Sequence, residues 1–436
     1  MRLLVSRRDA LTLAMLTALS GCTGRTPSGG GAGPVTIDWY ASTITNRPQE
    51  PRQALIDAFQ RAFPAVTVQL ISAPTNTDEA RNVLHDMISD ESGTSPDVYL
   101  GDVIWPAEFA AEHLAQPLNK LFDPPFWSRF PEELVRAASY DGETYAVPFY
   151  VDQGVLLYRK DLLEKENLPN PPRTWEELTA AAHTLLDKKL VDNGFVWQGA
   201  EYEGLTCVWT EFTAESRQPG EGVPPDAGDA RPRVDTPRSR KALTFMRSLL
   251  AGGVSPAAVT SFREAQSMQA FGPLTGRGAA FLRAWNSAYF DVAELSGSGI
   301  RDELGIAPLP VFAGERGPGA STIGGWSLYV NPHTRHPQQV ADFIDWMTAR
   351  PAQLTIAQYS VIPTNRSVRD DRAVRDNPVL AVSNRVRPVR RPSGTRHYRQ
   401  ASQVIYSTVH KALMDETVDP EDALRRAQRR IDDLLA

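Results

Sequence analysis

The sequence predicts an α/β fold of mostly parallel sheets flanked by helices, and three observations predict it. Short strand-like runs alternate with amphipathic helical stretches of about a dozen residues, the pattern of βαβ units. The 436 residues are 42% apolar and 22% charged, an ordinary globular composition with room for two or three domains. No internal repeat of 20–50 residues runs through the chain, so a repeat architecture is not indicated.

The elements follow in order. Residues 35–40 (VTIDWY) read as a strand, and in 51–63 the apolar Leu55, Ile56, Phe59 and Phe63 fall at helical spacing. Residues 66–70 alternate as a strand does, 78–88 read as a helix, and 97–100 as a strand. A strand with a proline inside it is read at 145–152, and a second α/β region opens with a strand at 154–158 (GVLLY). Thr174 sits at a helix N-cap with Glu176 and Glu177 in the first turn. Those side chains suit the free N–H groups and positive end of a helix, so 174–188 reads as helical. Further amphipathic helices are expected at 240–250, 339–347 and 421–435.

The N-terminus follows a different logic. Basic residues including Arg7 and Arg8 precede an apolar run over 10–19, which ends in Leu19-Ser20-Gly21-Cys22. That run is too short to cross a bilayer core of ~30 Å at 1.5 Å per residue, and reads as a secretion signal. Small residues directly before Cys22 resemble a lipobox, in which the cysteine is diacylated and becomes the mature N-terminus. Residues 1–21 are therefore expected to be a lipoprotein signal peptide, and 22–35 a lipid-anchored flexible tether rich in Gly, Ser, Thr and Pro. Residues 6–11 (SRRDAL) also resemble a twin-arginine export signal, and ordinary positive charge explains them equally well. No later stretch has 18 uninterrupted apolar residues, so nothing else is expected to span a membrane. Cys207 is the only other cysteine and is expected to be a buried, inert thiol.

Charge and motifs exclude several functions. The net charge of −6 offers no global basic field for nucleic acid. Only seven of the 46 basic residues are Lys, a skew that codon usage in a GC-rich genome explains more simply than many anion sites. There is no HExxH, no GxSxG and no phosphate-binding loop, and the seven His are scattered. No cofactor and no metal are expected.

What the chain offers instead is aromatic rings beside carboxylates and arginines. Asp102 ends a strand that leads to Trp105, and Tyr150 precedes Asp152. Trp285 and Trp326 add two indoles. Sugars have apolar C–H faces, which Trp and Tyr rings cover, and hydroxyl rims, which Asp and Arg bind. In open α/β sheets ligands sit beyond the carboxyl ends of strands, where Asp102 and Asp152 fall.

Residues 148–164 (PFYVDQGVLLYRKDLLE), with 171–178 (PPRTWEEL), resemble the family 1 extracellular solute-binding proteins of ABC sugar importers. Residues 193–199 (NGFVWQG), 202–207 (YEGLTC), 305–310 (GIAPLP), 322–326 (TIGGW) and 97–105 (DVYLGDVIW) are most similar to the trehalose/maltose-binding members of that family. The resemblance runs from about Val35 to the C-terminus. It implies a two-lobed periplasmic-binding-protein-like fold (type II) with a hinged cleft. It places lobe one at 36–152 plus 327–362 and lobe two at 153–326 plus 363–436, with crossings near Asp152, Trp326 and Pro363. Position by position it implies a sugar site of Arg81, Asp102, Trp105, Tyr150, Asp152, Trp285, Gly325, Trp326 and Arg391, joined by Glu50 and Tyr398. Near Arg391 the chain carries an extra residue and more Arg, so the match can slip to Arg387-Pro388. Residues 214–232 depart from the family pattern and carry no assigned role.

Each residue also has a plain structural reading. Asp102 can cap a helix, Asp152 can brace a hinge, and Gly325 can serve backbone geometry alone. Trp285 and Trp326 can pack between lobes, and the arginines of 385–399 can form a solvated face. Three classes of function stay open at this point. The first is a lipid-anchored extracytoplasmic receptor, not an enzyme and expected to be a monomer. It delivers a disaccharide such as trehalose, or a related α-glucoside, to an ABC permease. Another oligosaccharide or a phosphate-bearing polyol is a variant of this reading. The second is a glycoside hydrolase with Asp102 and Asp152 as its carboxylate pair. The third is a surface adhesion or scaffold lipoprotein.

Overall fold

The computed structural model describes residues 34–45, 50–89, 95–214, 231–272, 276–295, 300–359, 361–369 and 371–436. The expected signal peptide, Cys22, nearly all of the tether, and 215–230 of the unassigned Pro/Gly-rich segment lie outside them.

Strand β1 (Val35–Ala41) pairs in parallel with β2 (Val66–Ser72), joined through helix α1 (Pro51–Ala62). Leu55, Ile56 and Phe59 are the buried face of α1, as their spacing predicts. Helix α2 (Thr77–Ser89) leads to β3 (Val98–Asp102), which flanks β1 in parallel and is buried along its length. Short helices α3 (Pro106–Ala111) and α4 (Glu132–Ala137) precede the longest strand, β4 (Ala146–Arg159). Next come α5 (Trp175–Asp187), β5 (Asn193–Val196), α6 (Glu203–Thr213), α7 (Pro237–Ala251), β6 (Ala279–Trp285) and β7 (Leu304–Ala307). A second long strand, β8 (Ala320–Val330), precedes α8 (Pro337–Thr348) and α9 (Arg350–Ala357). The chain ends with β9 (Ile362–Pro363), β10 (Arg387–Val389), α10 (Tyr398–Met414) and α11 (Pro420–Leu434). At the start of α5, Thr174 accepts from Glu177 N–H, and the Glu177 carboxylate accepts in return from Thr174 N–H. This reciprocal cap is what fixes the helix start.

The strands lie in the order β2-β1-β3-β8-β4-β6-β5, with β7 and β9 on β4 and β10 on β8. Two large apolar cores form two lobes on this framework. One gathers Ile37, Trp39, Phe59, Val98, Phe149, Leu328, Phe343 and Ile356. The other gathers Leu157, Trp175, Phe195, Trp197, Phe281, Val404 and Ile431. Strand β4 serves both, giving Val147 and Phe149 to the first and Val155, Leu156 and Leu157 to the second. Each such fully buried side chain contributes about 1.5–3 kcal/mol. The expected parallel pairs are present at β1–β2, β1–β3 and β5–β6. The middle of the sheet is antiparallel, at β3–β8, β8–β4 and β4–β6. Strand β4 is antiparallel to all four of its partners, β8, β6, β7 and β9, whereas β8 is antiparallel to β3 and β4 and parallel to β10.

Cys207 lies buried in α6 as a free thiol, and burial pushes its pKa up. That keeps it protonated and unreactive. Among the described residues no helix is long and apolar enough to cross a membrane.

The β4–β8 pairing carries one irregularity. The register shifts between Trp326 and Ser327, and the adjoining Gly325 has φ of 122°. A Cβ at Gly325 would collide with the Tyr150 carbonyl oxygen and the Val151 Cα. Only glycine fits both the dihedral and the approach. Gly325→Ala is therefore expected to lower the unfolding free energy by about 1–3 kcal/mol. Urea denaturation measures it, and an unchanged midpoint would show that the strand accommodates the methyl group.

Candidate functional site

The two long strands bring the central candidates together. Trp326 pairs opposite Tyr150, Gly325 opposite Val151, and Gly324 opposite Asp152. Alternation along β4 sends Tyr150 and Asp152 to one side of the sheet. Trp285, at the end of β6, faces Gly154 of β4 across the ladder. It comes close to Gly324, where a side chain would strike its ring.

Each of these side chains is held in place. The Asp152 carboxylate accepts from Ser287 Oγ at 2.5 Å, Ser287 N–H at 3.2 Å and Gln153 N–H at 3.2 Å. Burial nonetheless dominates and raises its pKa to about 6, against the pull of those hydrogen bonds and of Arg283. Burial pushes the Tyr150 phenol well above its usual value, and the carboxylates of Asp152, Glu50 and Asp102 add to the effect. The Arg283 guanidinium lies over the Trp285 ring at 4.2 Å, a cation–π contact. Arg283 is itself fixed by Glu211 through two bonds of 2.8 and 2.6 Å, and by Gln198 at 3.0 Å. A small cavity of about 90 Å³ opens beside Trp285, lined also by Thr43, Ile44, Thr45 and Ser287.

Asp102 and Arg391 meet directly. Arg391 donates one nitrogen to Asp102 Oδ1 at 2.8 Å and another to Glu203 Oε1 at 2.8 Å. Glu203, the first residue of α6, also accepts from the Tyr398 hydroxyl at 2.6 Å and from Ser402 Oγ at 2.5 Å. Burial raises its pKa, and the Arg391 charge opposes that most strongly. Sequence reasoning missed Glu203, along with Ser287, Glu211 and Arg283. The signal for Glu203 was a carboxylate at a helix start inside the run 202–207, which reads equally as a cap.

The other candidates are held by partners of their own. Arg81 is buried on α2 and binds Glu108 and Glu112 of the α3 region. Trp105 is only 3% exposed, stacks on Phe109 at 4.9 Å and meets the edge of Trp326 at 6.2 Å. Trp105 belongs to the packing beneath the half-buried Trp326. Glu50 caps α1, accepting from Arg52 N–H and Ile44 N–H and pairing with the Arg52 side chain at 2.9 Å.

The arrangement suits hydroxyl recognition. It combines indole faces, a carboxylate with bound donors, and arginines already neutralised by protein carboxylates. The raised Asp152 pKa has a stability consequence. Below about 4 the carboxyl is protonated folded and unfolded, and above about 6 it is ionised in both. Between these values the folded state holds the extra proton, so Asp152 costs stability as pH rises through that window. Asp152→Asn should flatten the fall in stability between about pH 4 and 6, read by urea unfolding across pH. The same pH slope in both proteins would place the titration elsewhere.

The chain is similar to known proteins over most of its length. The chain is 33% identical over 313 residues to a probable ABC transporter-binding protein of Deinococcus radiodurans, spanning 71% of each chain. It is 22% identical over 357 residues to the maltotriose-binding protein of Pyrococcus abyssi, covering 80% of this chain and 70% of that one. The structure of maltose-bound MalE3 from T. maritima matches with a TM-score of 0.78 and 28% identity, over 92% of this chain and 100% of that one. The family model for bacterial extracellular solute-binding proteins matches residues 44–354, more than half of the chain. These are binding proteins and not enzymes, so the hydrolase reading of Asp102 and Asp152 falls away. The chain belongs to the bacterial extracellular solute-binding protein family.

Proposed function

We propose that this protein is the lipid-anchored, extracytoplasmic receptor of an ABC sugar importer, and that its ligand is trehalose or a related α-glucoside of two or three units. The observation that carries this reading is the convergence of Tyr150, Asp152, Trp285 and Trp326 on one side of the strands shared by both lobes. Lobe one is 36–152 plus 327–362 and lobe two is 153–326 plus 363–436. Ligand sits between them and closure buries it. The closed receptor then docks on the permease, whose separate ATPase subunits supply the energy. The similar maltotriose-binding protein and maltose-bound MalE3 support an α-glucoside.

A neutral sugar is favoured over a phosphate-bearing polyol by the state of Arg391. Two of its three guanidinium nitrogens are paired with Glu203 and Asp102, and these two carboxylates offset its charge toward an anionic ligand. The adhesion reading requires no small-ligand site and leaves the Asp152 cluster without a purpose.

Calorimetry against trehalose, maltose and maltotriose tests the proposal, with glucose release assayed in parallel. Saturable binding of one of these without hydrolysis is expected, and binding of none would overturn it. Trp326→Ala should weaken the bound sugar by about 1–3 kcal/mol, the range of aromatic anchors. That is roughly five- to a hundredfold at 1.4 kcal/mol per decade. Unchanged affinity in the folded variant would assign Trp326 to packing alone.

The anchor is tested separately. Cys22→Ala should release the protein from the membrane fraction while leaving sugar affinity unaltered, because the Gly/Ser-rich tether separates lipid from fold. Retention of the variant on membranes would show that another element holds it there.

A further inference from the structure

Strand β4 has a second side. Alternation turns Gln153 away from the face that carries Tyr150 and Asp152. Gln153 is 9% exposed, and its amide oxygen is buried without a hydrogen-bond partner. Buried polar atoms are seldom left unpaired, and each one asks for an explanation. The Gln153 backbone does not share the deficit, since its N–H donates to Asn286 Oδ1 at 2.7 Å.

Gln153 lines a cavity of about 250 Å³ on this rear side, together with Glu133, Arg369, Arg375 and Asn384. That volume equals about eight waters at their share of the liquid. Arg369 and Arg375 are exposed at its rim and make no hydrogen bond or ion pair to a carboxylate among the described residues. Nearby acids are engaged elsewhere, Asp371 with Arg350 and Asp376 with Arg372 at 3.1 Å. Against the single carboxylate of Glu133, the lining carries two guanidinium groups. Guanidinium forks bind anionic oxygens in pairs, and a glutamine oxygen accepts only from a donor.

We infer that this rear cavity of the hinge strands is a second ligand site, which takes a small anion bearing a hydroxyl group. The anionic oxygens lie toward Arg369 and Arg375, and the hydroxyl donates to Gln153 Oε1. Hydrogen phosphate and short hydroxycarboxylates both have this chemistry. The site shares no lining residue with the Asp152 cluster and does not depend on the sugar assignment.

Titration calorimetry of the full protein with inorganic phosphate and, separately, with glycerate tests the site, with sulfate as an anion that lacks a hydroxyl at neutral pH. Saturable binding is expected for at least one hydroxylated anion, with sulfate weaker. Arg369→Gln should weaken it about tenfold and Gln153→Leu severalfold, with circular dichroism unchanged. Arg369 is exposed, so its variant remains informative even if Gln153→Leu fails to fold. Absence of saturable binding to any of these anions would overturn the inference. So would binding that ignores Arg369→Gln, or that Asp152→Asn abolishes, since the anion would then occupy the front of the sheet. Persistence of binding in Asp152→Asn supports two separate sites.

Discussion

The pairing of β4 with β8 is the constraint on which the rest of the molecule depends. Strand β4 is buried for most of its 14 residues and runs from one apolar core into the other. Its register with β8 decides which residues share the side that carries Tyr150 and Asp152. A slip of one residue would turn Asp152 to the rear and Gln153 to the front, because side chains alternate with a period of two. Both lobes hold the register in place. Phe149 and Leu328 are locked in one core and Leu156 and Leu157 in the other, so a slip would expose apolar residues in both. The register shift beside Gly325 is the local cost of fitting a strand bend at the crossing.

Buried charges then fix the side chains around that pairing. Arg283 and Glu211 are each almost fully buried. A pair like this contributes little net stability, because desolvation offsets attraction, but removing one partner leaves a costly isolated charge. Its value here is positional. Glu211 also accepts from the Thr322 N–H of β8 at 3.2 Å, so one carboxylate ties α6, β6 and β8 into a single geometry under Trp285. The Asp102–Arg391–Glu203 chain does the same between three distant segments.

The sequence showed the elements well and the connections between them poorly. Helix α1 was legible from Leu55, Ile56 and Phe59, and α5 from Thr174 and Glu177, because period and capping are local properties. Strand β4 was read as two pieces, around Pro148 and Gly154. It is one strand because Pro148 sits where the ladder is already irregular and cross-strand partners override its break. Strand direction was not legible at all, since it depends on where the chain crosses between lobes. For the site, resemblance supplied Tyr150, Asp152 and Trp326, which the structure brings together. It gave no account of Glu203, whose partner Arg391 is 188 residues away. Nor did it show that Arg81 would be claimed by Glu108 and Glu112, a pairing set by the packing of α2 on α3.

These contacts also bear on the chemistry open to Asp102 and Asp152. A hydrolase needs one carboxyl free to give a proton and another free to attack or to activate water. Asp102 accepts from Arg391 and from the Ile104 N–H at 3.2 Å, and Asp152 accepts three donors from its surroundings. Both carboxylates are engaged by donors of the protein itself. What these contacts supply is fixed orientation. Ordering side chains at the moment of binding costs affinity, and here Ser287, Arg283 and Glu203 have already ordered them. The same interactions that hold the two cores to one sheet thus also fix the side chains around Asp152 and Trp285.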